Sequence, residues 1–166
     1  MHEIQHWMVR KPFAVVAQLC GISAAVTAQA VQLLQTLRYT DPLSYFPDYA
    51  HVRDLPVDKF LVTAGFTGMQ QSKISKLGIA GDFREIVIVD ATLSNATKKT
   101  SFAYLSEKYS YPPAAVMVIG DDPGSEIKAA LELGMRAVLY DRTQVVEVPD
   151  GAVSVADFSG IGNLLE

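Results

Sequence analysis

The sequence predicts an α/β fold, a doubly wound parallel sheet with helices on both of its faces. From residue 59 onward, short and continuously apolar segments alternate with segments of helical spacing, a pattern typical of parallel strands that are buried on both sides. Polar residues follow directly after two of the apolar segments. Hydrophobic residues make up 49% of the 166 residues and charged residues 19%, which is enough for a packed core.

The chain divides near residues 54–59 into a helical segment, 1–54, and an α/β core, 55–166. Residues 12–37 carry no charge, but their glutamines dilute the apolar run that a bilayer would require. Gly21-Ile22-Ser23 predicts the end of one helix and the N-cap of the next. The second helix has one apolar face, formed by Val26, Ala30, Leu33 and Leu37. A soluble helical segment is therefore preferred to a signal peptide or a membrane anchor.

The elements of the core follow from periodicity and from their end signals. The predicted strands are Lys59–Val62, Glu85–Val89, Ala115–Ile119, Arg136–Leu139 and Val153–Phe158. The predicted helices are Met69–Leu77, Lys98–Tyr109 and Gly124–Leu133. Gly78 and Gly134 end two of these helices, and the β-branched run Glu85–Val89 is the clearest strand signal.

Thr63 and Asp121 each follow a predicted strand, so both should reach one crevice beyond the carboxyl ends of the sheet. The turn Thr63-Ala64-Gly65 offers a hydroxyl and backbone N–H groups that suit phosphoryl oxygens, although a capping threonine is the commoner explanation. Lys98 and Lys99 open a helix after a polar loop, where a lysine can neutralise phosphate. A solvated surface pair is the simpler reading of two lysines.

Three carboxylates follow the strand Ala115–Ile119, in the sequence Gly120-Asp121-Asp122-Pro123-Gly124-Ser125-Glu126. Hard oxygen ligands in this arrangement suit Mg²⁺, which is held by one or two carboxylates together with water and substrate phosphate. The competing explanation is that Asp122 and Glu126 only favour the N-terminal end of the helix dipole.

With these motifs the sequence resembles the haloacid dehalogenase-like (HAD) superfamily, in its phosphatase type. The resemblance is carried by "KFLVTAG", "NATKKTSF" and "VMVIGDDPGSEIKAALELGM", and it covers roughly residues 40–160. It implies a HAD-like, Rossmannoid core with a partial helical cap at the N-terminus. The implied activity is Mg²⁺-dependent phosphoester hydrolysis of a small phosphorylated molecule.

The resemblance also implies a role for each site residue. Thr63, with Ala64 and Gly65, would hold a phosphoryl oxygen, and Lys98 or Lys99 would balance the charge of nucleophile and phosphate. Asp121 would bind Mg²⁺. Glu126 would support the metal or the lysine, and Asp122 is an alternative for either role.

One family motif has no counterpart before Thr63, where no D-x-D pair follows an apolar strand. That motif supplies the nucleophile and a general acid/base, and its strand lies in the middle of the family's sheet. We therefore expect a truncated or mis-started HAD protein, which is either inactive or completed by a partner strand. Its open sheet edges would favour self-association. The alternative is a non-catalytic module, HAD-like or receiver-like.

The charge balance restricts the partners. A net charge of −4 and a pI near 5.3 argue against a general nucleic-acid surface, which would need clustered lysine and arginine. Cys20 is the only cysteine, which excludes an internal disulfide and suits a reducing cytoplasm. We expect no membrane association and no nucleic-acid partner.

Overall fold

Strands and helices alternate along the core, as the sequence predicts. The protein is described by a computed structural model over residues 11–165. The strands are β1 (Phe60–Ala64), β2 (Glu85–Val89), β3 (Met117–Gly120), β4 (Arg136–Tyr140) and β5 (Ala152–Val155). The α-helices are α1 (Phe13–Leu19), α2 (Ala24–Thr36), α3 (Tyr49–Arg53), α4 (Thr67–Leu77), α5 (Lys98–Lys108) and α6 (Lys128–Glu132). Short 3₁₀ turns lie at Ala80–Asp82, Pro113–Ala115 and Ile161–Leu165, and a π-helical turn at Pro123–Ile127 leads into α6.

Every strand pairing is parallel, but the strands form two sheets instead of one. β1 pairs with β2, and β4 lies between β3 and β5 in the second sheet. Within residues 11–165 no strand joins β1 to β3, so each of them has an open edge.

A hydrophobic core cluster packs against the second sheet. Phe102 of α5 and Val118 of β3 pack with the fully buried Ile127 and Leu139. Val62 of β1 packs against the same cluster from the other sheet. α5 contacts β1 and β2 and also packs on α6. The two sheets therefore share one hydrophobic core although no backbone pairing connects them.

Element ends differ from prediction where local geometry intervenes. β2 has the predicted bounds, whereas β3 begins at Met117 because Pro113–Ala115 forms a 3₁₀ turn. The predicted helix Gly124–Leu133 is divided into the π-helical turn and α6. The left-handed glycine predicted to end it is present, with Gly134 at a φ of 69°.

The helix end and N-cap predicted at Gly21-Ile22-Ser23 are confirmed, while the first ten residues of the helical segment lie outside the described part. The Ser23 side chain accepts a hydrogen bond from Val26 N–H at 3.4 Å and caps α2. Residues 11–165 leave the apolar face of α2 largely uncovered, since Val26 and Leu33 are 54% and 63% exposed. Among residues 11–165, no helix has the length and apolar character needed to cross a bilayer.

Candidate functional site

Thr63 lies near the carboxyl end of β1 and bonds to the helix that follows. Its hydroxyl donates to Gln70 Oε1 at 3.3 Å, and Gln70 Nε2 donates to Ala64 O at 3.0 Å. Gly65 has a φ of 140°, and a Cβ at that position would stand 2.5 Å from Gln70 Nε2. The Gly65 N–H donates to Val89 O at 3.0 Å. The turn therefore depends on a glycine, but the N–H of that glycine is already engaged.

Asp90 connects the loops after β1 and β2, and the sequence motifs did not identify it. Its Oδ2 accepts hydrogen bonds from the N–H and hydroxyl of Thr67, at 2.8 and 2.9 Å. Its Oδ1 accepts from the N–H and hydroxyl of Thr92, at 3.0 and 2.7 Å. Burial raises the pKa of Asp90, but these hydrogen bonds outweigh burial and hold the pKa below its usual value. The sequence signal that could have identified Asp90 is its position directly after the strand β2, which matches the position of Asp121 after β3.

Lys98 and Glu126 join the loop after β2 to the turn after β3. Thr97 caps α5 in a capping box with Thr100, which places Lys98 in the first turn of that helix. The Lys98 ammonium forms an ion pair with Glu126 Oε1, and the two side chains are 21% and 10% exposed. Burial lowers the pKa of Lys98, while the charges of Asp121 and Asp122 oppose that change.

The structure distinguishes the two lysines that the sequence could not separate. Lys99 pairs with Glu132 Oε2 at 2.8 Å, where both side chains are more than two-fifths exposed. Lys98 points toward the carboxylates that follow β3, and Lys99 points toward α6. Of the two candidates, Lys98 is the one at the strand ends.

The π-helical turn places the acidic residues after β3. The Asp122 side chain accepts from Gly124 N–H at 2.9 Å and so caps the turn, and its carbonyl accepts from Ile127 N–H at 3.4 Å. Such turns are frequent at functional sites. Asp121 is exposed, whereas Glu126, which follows it in the same turn, is buried. The structure therefore brings Lys98, Asp121, Asp122 and Glu126 together, while the hydroxyl of Thr63 bonds to Gln70.

The donor set suits a hard cation in part. Glu126 Oε2 is buried and has no hydrogen-bond partner among the described residues, so it requires a cation or a water. A Cβ at Gly120 would stand 2.6 Å from Glu126 Cβ, so a glycine is needed for this close approach. No group of three His, Cys, Asp or Glu side chains within residues 11–165 is arranged to hold a metal alone. Mg²⁺ does not need three protein side chains, because water and substrate oxygens complete its coordination shell.

The end of α2 lies over these loops. Gln35 Nε2 donates to Thr92 Oγ1 at 2.8 Å, and Tyr39 N–H donates to Ser72 Oγ at 2.7 Å. The Arg38 guanidinium packs on Gly68, where a Cβ would overlap its Nη1. The N-terminal helical segment is thus attached at the loop after β2 and along α4.

Comparison with known proteins gives a family match for part of the chain. Residues 96–148 match the model of the HAD-hydrolase-like family. The matched segment includes both candidate lysines and all three candidate metal ligands, but not Thr63. A comparison with curated protein sequences found no match.

Similar solved structures extend over most of the chain. A HAD phosphatase from Thermococcus onnurineus is 19% identical, with 99% of this chain and 76% of that chain covered and a TM-score of 0.63. The HAD-hydrolase YfnB from Bacillus subtilis, bound to magnesium, is 17% identical, with 92% and 69% covered and a TM-score of 0.63. The L-2-haloacid dehalogenase from Xanthobacter autotrophicus is 17% identical, with 92% and 71% covered and a TM-score of 0.60.

This chain is shorter than the proteins it resembles. It spans 64% of one similar haloacid dehalogenase-like hydrolase, from Xanthomonas campestris, which is less than two thirds. At identities below 20%, the structural similarity shows a shared fold alone, and the similar structures include both a phosphatase and a dehalogenase. The chain therefore has the fold of the HAD-like hydrolases, and residues 96–148 match that family in sequence.

Proposed function

We propose that this chain carries the phosphate- and metal-binding part of a Mg²⁺-dependent phosphoester hydrolase that acts on a small phosphorylated molecule. The observation that carries the proposal is the partly buried Lys98–Glu126 pair, with Asp121 directly after β3. A cation and several carboxylates at the carboxyl ends of parallel strands suit a ligand that is itself a metal–phosphate complex. The magnesium-bound neighbour supports the same assignment.

Each residue has a role that its position supports. Lys98 would neutralise the charge of a bound phosphoryl group, and Glu126 would hold the ammonium in place. The Thr63 hydroxyl would donate to a phosphoryl oxygen after leaving Gln70. Asp121 and the free oxygen of Glu126 would hold Mg²⁺, with Asp122 as the alternative ligand. When bound, the metal would supply charge neutralisation at the phosphoryl oxygens.

The nucleophile is the part of the mechanism that these residues do not supply. In-line attack on phosphorus requires a nucleophile opposite the leaving group. Asp90 accepts four hydrogen bonds and is buried, which suits a positioning residue better than a nucleophile. This observation favours the second candidate, a HAD-fold module that binds phosphate and Mg²⁺ without turnover.

Hydrolysis of an aryl phosphate, with and without Mg²⁺, tests the proposal. The full chain is compared with Asp121→Asn and with Asp150→Asn, an exposed acid before β5 that serves as the control. Mg²⁺-dependent turnover that only Asp121→Asn abolishes would support the hydrolase. Mg²⁺ binding without turnover would support the module, and the absence of both would contradict the two candidates. Chloropropionate serves as a second substrate, since a similar dehalogenase structure holds chloropropionic acid covalently bound.

The remaining expectations about this protein stay predictions. A cytoplasmic location and the absence of a nucleic-acid partner rest on composition alone. Self-association through an open sheet edge rests on the sides of β1 and β3 that have no partner strand among residues 11–165. Light scattering over a range of protein concentrations would measure that association directly.

A further inference from the structure

The Gln70 side chain lies across the turn that follows β1. Its backbone is fixed in the first turn of α4, where Gln70 N–H donates to Phe66 O at 3.0 Å. From there the side chain reaches back toward β1. Its Oε1 accepts from the Thr63 hydroxyl at 3.3 Å, and its Nε2 donates to Ala64 O at 3.0 Å. One amide therefore covers the hydroxyl and the backbone of the turn proposed to hold a phosphoryl group.

The orientation of the Gln70 amide is determined by Ala64. A carbonyl oxygen only accepts hydrogen bonds, so the amide nitrogen must face Ala64 O. The amide oxygen then faces Thr63, whose hydroxyl must be the donor of that bond. Rotating the amide by half a turn would bring its oxygen against the carbonyl oxygen of Ala64. A ligand therefore reaches the Thr63 hydroxyl only when the whole side chain moves away.

The glycine at position 65 makes this position of the amide possible. A Cβ at Gly65 would stand 2.5 Å from Gln70 Nε2, well inside the separation of non-bonded atoms. Gln70 is half-buried, whereas Gln71, the next residue of the helix, is exposed. Two hydrogen bonds and a close backbone contact thus hold one particular glutamine at the turn.

An amide oxygen and a phosphoryl oxygen are equivalent partners for a hydroxyl donor. Each accepts a hydrogen bond and neither donates one. Oε1 of Gln70 lies where an acceptor meets the Thr63 hydroxyl, which carries a single proton to donate. Gln70 and a phosphoryl oxygen therefore compete for the same donor.

We propose that Gln70 determines the affinity of the phosphoryl subsite by direct competition: its amide occupies Thr63 in the free chain, and a phosphorylated ligand binds Thr63 only after displacing it. This inference rests on the proposed function, which assigns Thr63 to a phosphoryl oxygen. We call the Gln70 amide in this position the amide plug. Phosphate displaces it because a hydrogen bond to a charged oxygen is stronger than one to a neutral amide. The ligand gains only the difference between the two bonds.

Displacement of the amide plug needs no change in the backbone. Gln70 lies in an 11-residue helix, so rotation about its side-chain bonds between staggered positions is sufficient. Ala64 is exposed, so water can donate to its carbonyl once the amide nitrogen leaves. The main loss on displacement is therefore the bond between Oε1 and the Thr63 hydroxyl.

Titration with inorganic phosphate in the presence of Mg²⁺, measured by calorimetry, tests the inference. Gln70→Ala removes the amide plug and should fold, because alanine is the best helix former. We expect it to bind phosphate about three- to tenfold more tightly than the native chain. Gln71→Ala, the same change at the exposed neighbour, is the matched control and should leave the affinity unchanged. Equal affinities for the native chain and Gln70→Ala would overturn the inference and leave the proposed function standing.

A double variant tests whether the effect passes through Thr63. Thr63→Val removes the hydroxyl for which the amide and phosphate compete, and it retains a β-branched side chain in the strand. In that background, Gln70→Ala should change the phosphate affinity less than about twofold, since no shared donor remains. An equal gain in affinity with and without the Thr63 hydroxyl would overturn the inference, because Gln70 would then affect phosphate by another route.

NMR of the side-chain amides follows the amide plug in the native chain. On addition of phosphate with Mg²⁺, the NH₂ resonances of Gln70 should move toward those of a solvent-exposed glutamine, while those of Gln71 stay in place. Phosphate binding without that movement would overturn the inference.

Two outcomes separate the amide plug from the proposed hydrolase. Phosphate binding that Gln70→Ala strengthens, without Mg²⁺-dependent hydrolysis of aryl phosphate, would support the amide plug and count against the hydrolase alone. The absence of phosphate binding from both the native chain and Gln70→Ala would contradict both proposals.

Discussion

Replacing Lys98 by methionine should destabilise the fold far more than the same change at Lys99. The Lys98–Glu126 side chains are 21% and 10% exposed, whereas those of Lys99–Glu132 are 46% and 42% exposed. Glu126 Oε2 already lacks a hydrogen-bond partner among the described residues, so Lys98→Met leaves a buried carboxylate with neither oxygen paired. The substitution preserves the long aliphatic stem, so packing changes little.

The magnitude follows from the burial of the pair. Removing one partner of a fully buried ion pair costs about 3–5 kcal/mol. Because Lys98 retains some exposure, we expect about 2–3 kcal/mol at this position. An exposed pair contributes about 0–1 kcal/mol, so Lys99→Met should cost less than about 1 kcal/mol. Adding Glu126→Gln to Lys98→Met removes the uncompensated charge and should restore part of the loss.

Urea unfolding followed by circular dichroism measures these differences. With a slope of about 1–3 kcal/mol per molar urea, Lys98→Met should lower the midpoint by about 1 M or more. Lys99→Met should lower the midpoint by less than about half as much, because both variants share the same slope. Equal midpoints for the two variants would refute the argument that burial distinguishes the two lysines. So would an additive effect of Glu126→Gln in the double variant.

Three further predictions concern the residues around this pair. Gly120→Ala should cost about 1–3 kcal/mol in urea unfolding, because its Cβ would stand 2.6 Å from Glu126 Cβ. The control Gly81→Ala, with open space around it, should cost none, and equal losses would contradict the contact. Asp90→Asn should lower the free energy of unfolding by about 2 kcal/mol, because an amide nitrogen cannot accept the hydrogen bonds made to one carboxylate oxygen. An unchanged urea midpoint would argue against Asp90 as the link between the two loops. Backbone hydrogen bonds from Val146 and side-chain bonds from Thr143 lower the pKa of Asp141 to about 2, below its value in the unfolded chain. Its stabilisation is therefore present above about pH 4 and is lost as the pH falls through about 2, so thermal unfolding of Asp141→Asn should depend less on pH in that window than that of the native chain.

The strands were predicted best where consecutive residues are β-branched. Four consecutive β-branched residues, Ile86 to Val89, suit a buried parallel strand, and β2 has the predicted bounds Glu85–Val89. β3 is shorter than predicted because Pro112 and Pro113 favour a turn, a preference that the apolar run after them concealed. The π-helical turn could not be predicted, since no residue preference separates it from an ordinary first turn of a helix.

The residue types of the candidate site were predictable, but the directions of their side chains were not. Adjacent lysines in a helix differ by about 100° in direction, so only the packing of α5 determines that Lys98 meets Glu126. The periodicity of α2 predicted that Val26 and Leu33 share one apolar face, but periodicity does not reveal whether a neighbour covers that face, and both residues are exposed. Asp90 was missed because Thr67 is distant from it in sequence and Thr92 belongs to an ordinary polar loop.

Mg²⁺ titration by calorimetry tests most directly the central claim that the carboxyl ends of these strands form a cation–phosphate site. The full chain should bind one Mg²⁺, more tightly in the presence of inorganic phosphate, and Asp121→Asn should lose that binding while Asp150→Asn retains it. Phosphate should enhance Mg²⁺ binding less in Lys98→Met, because the ammonium that neutralises the anion is absent. Mg²⁺ binding that is absent from the native chain, or unchanged in Asp121→Asn, would contradict the account.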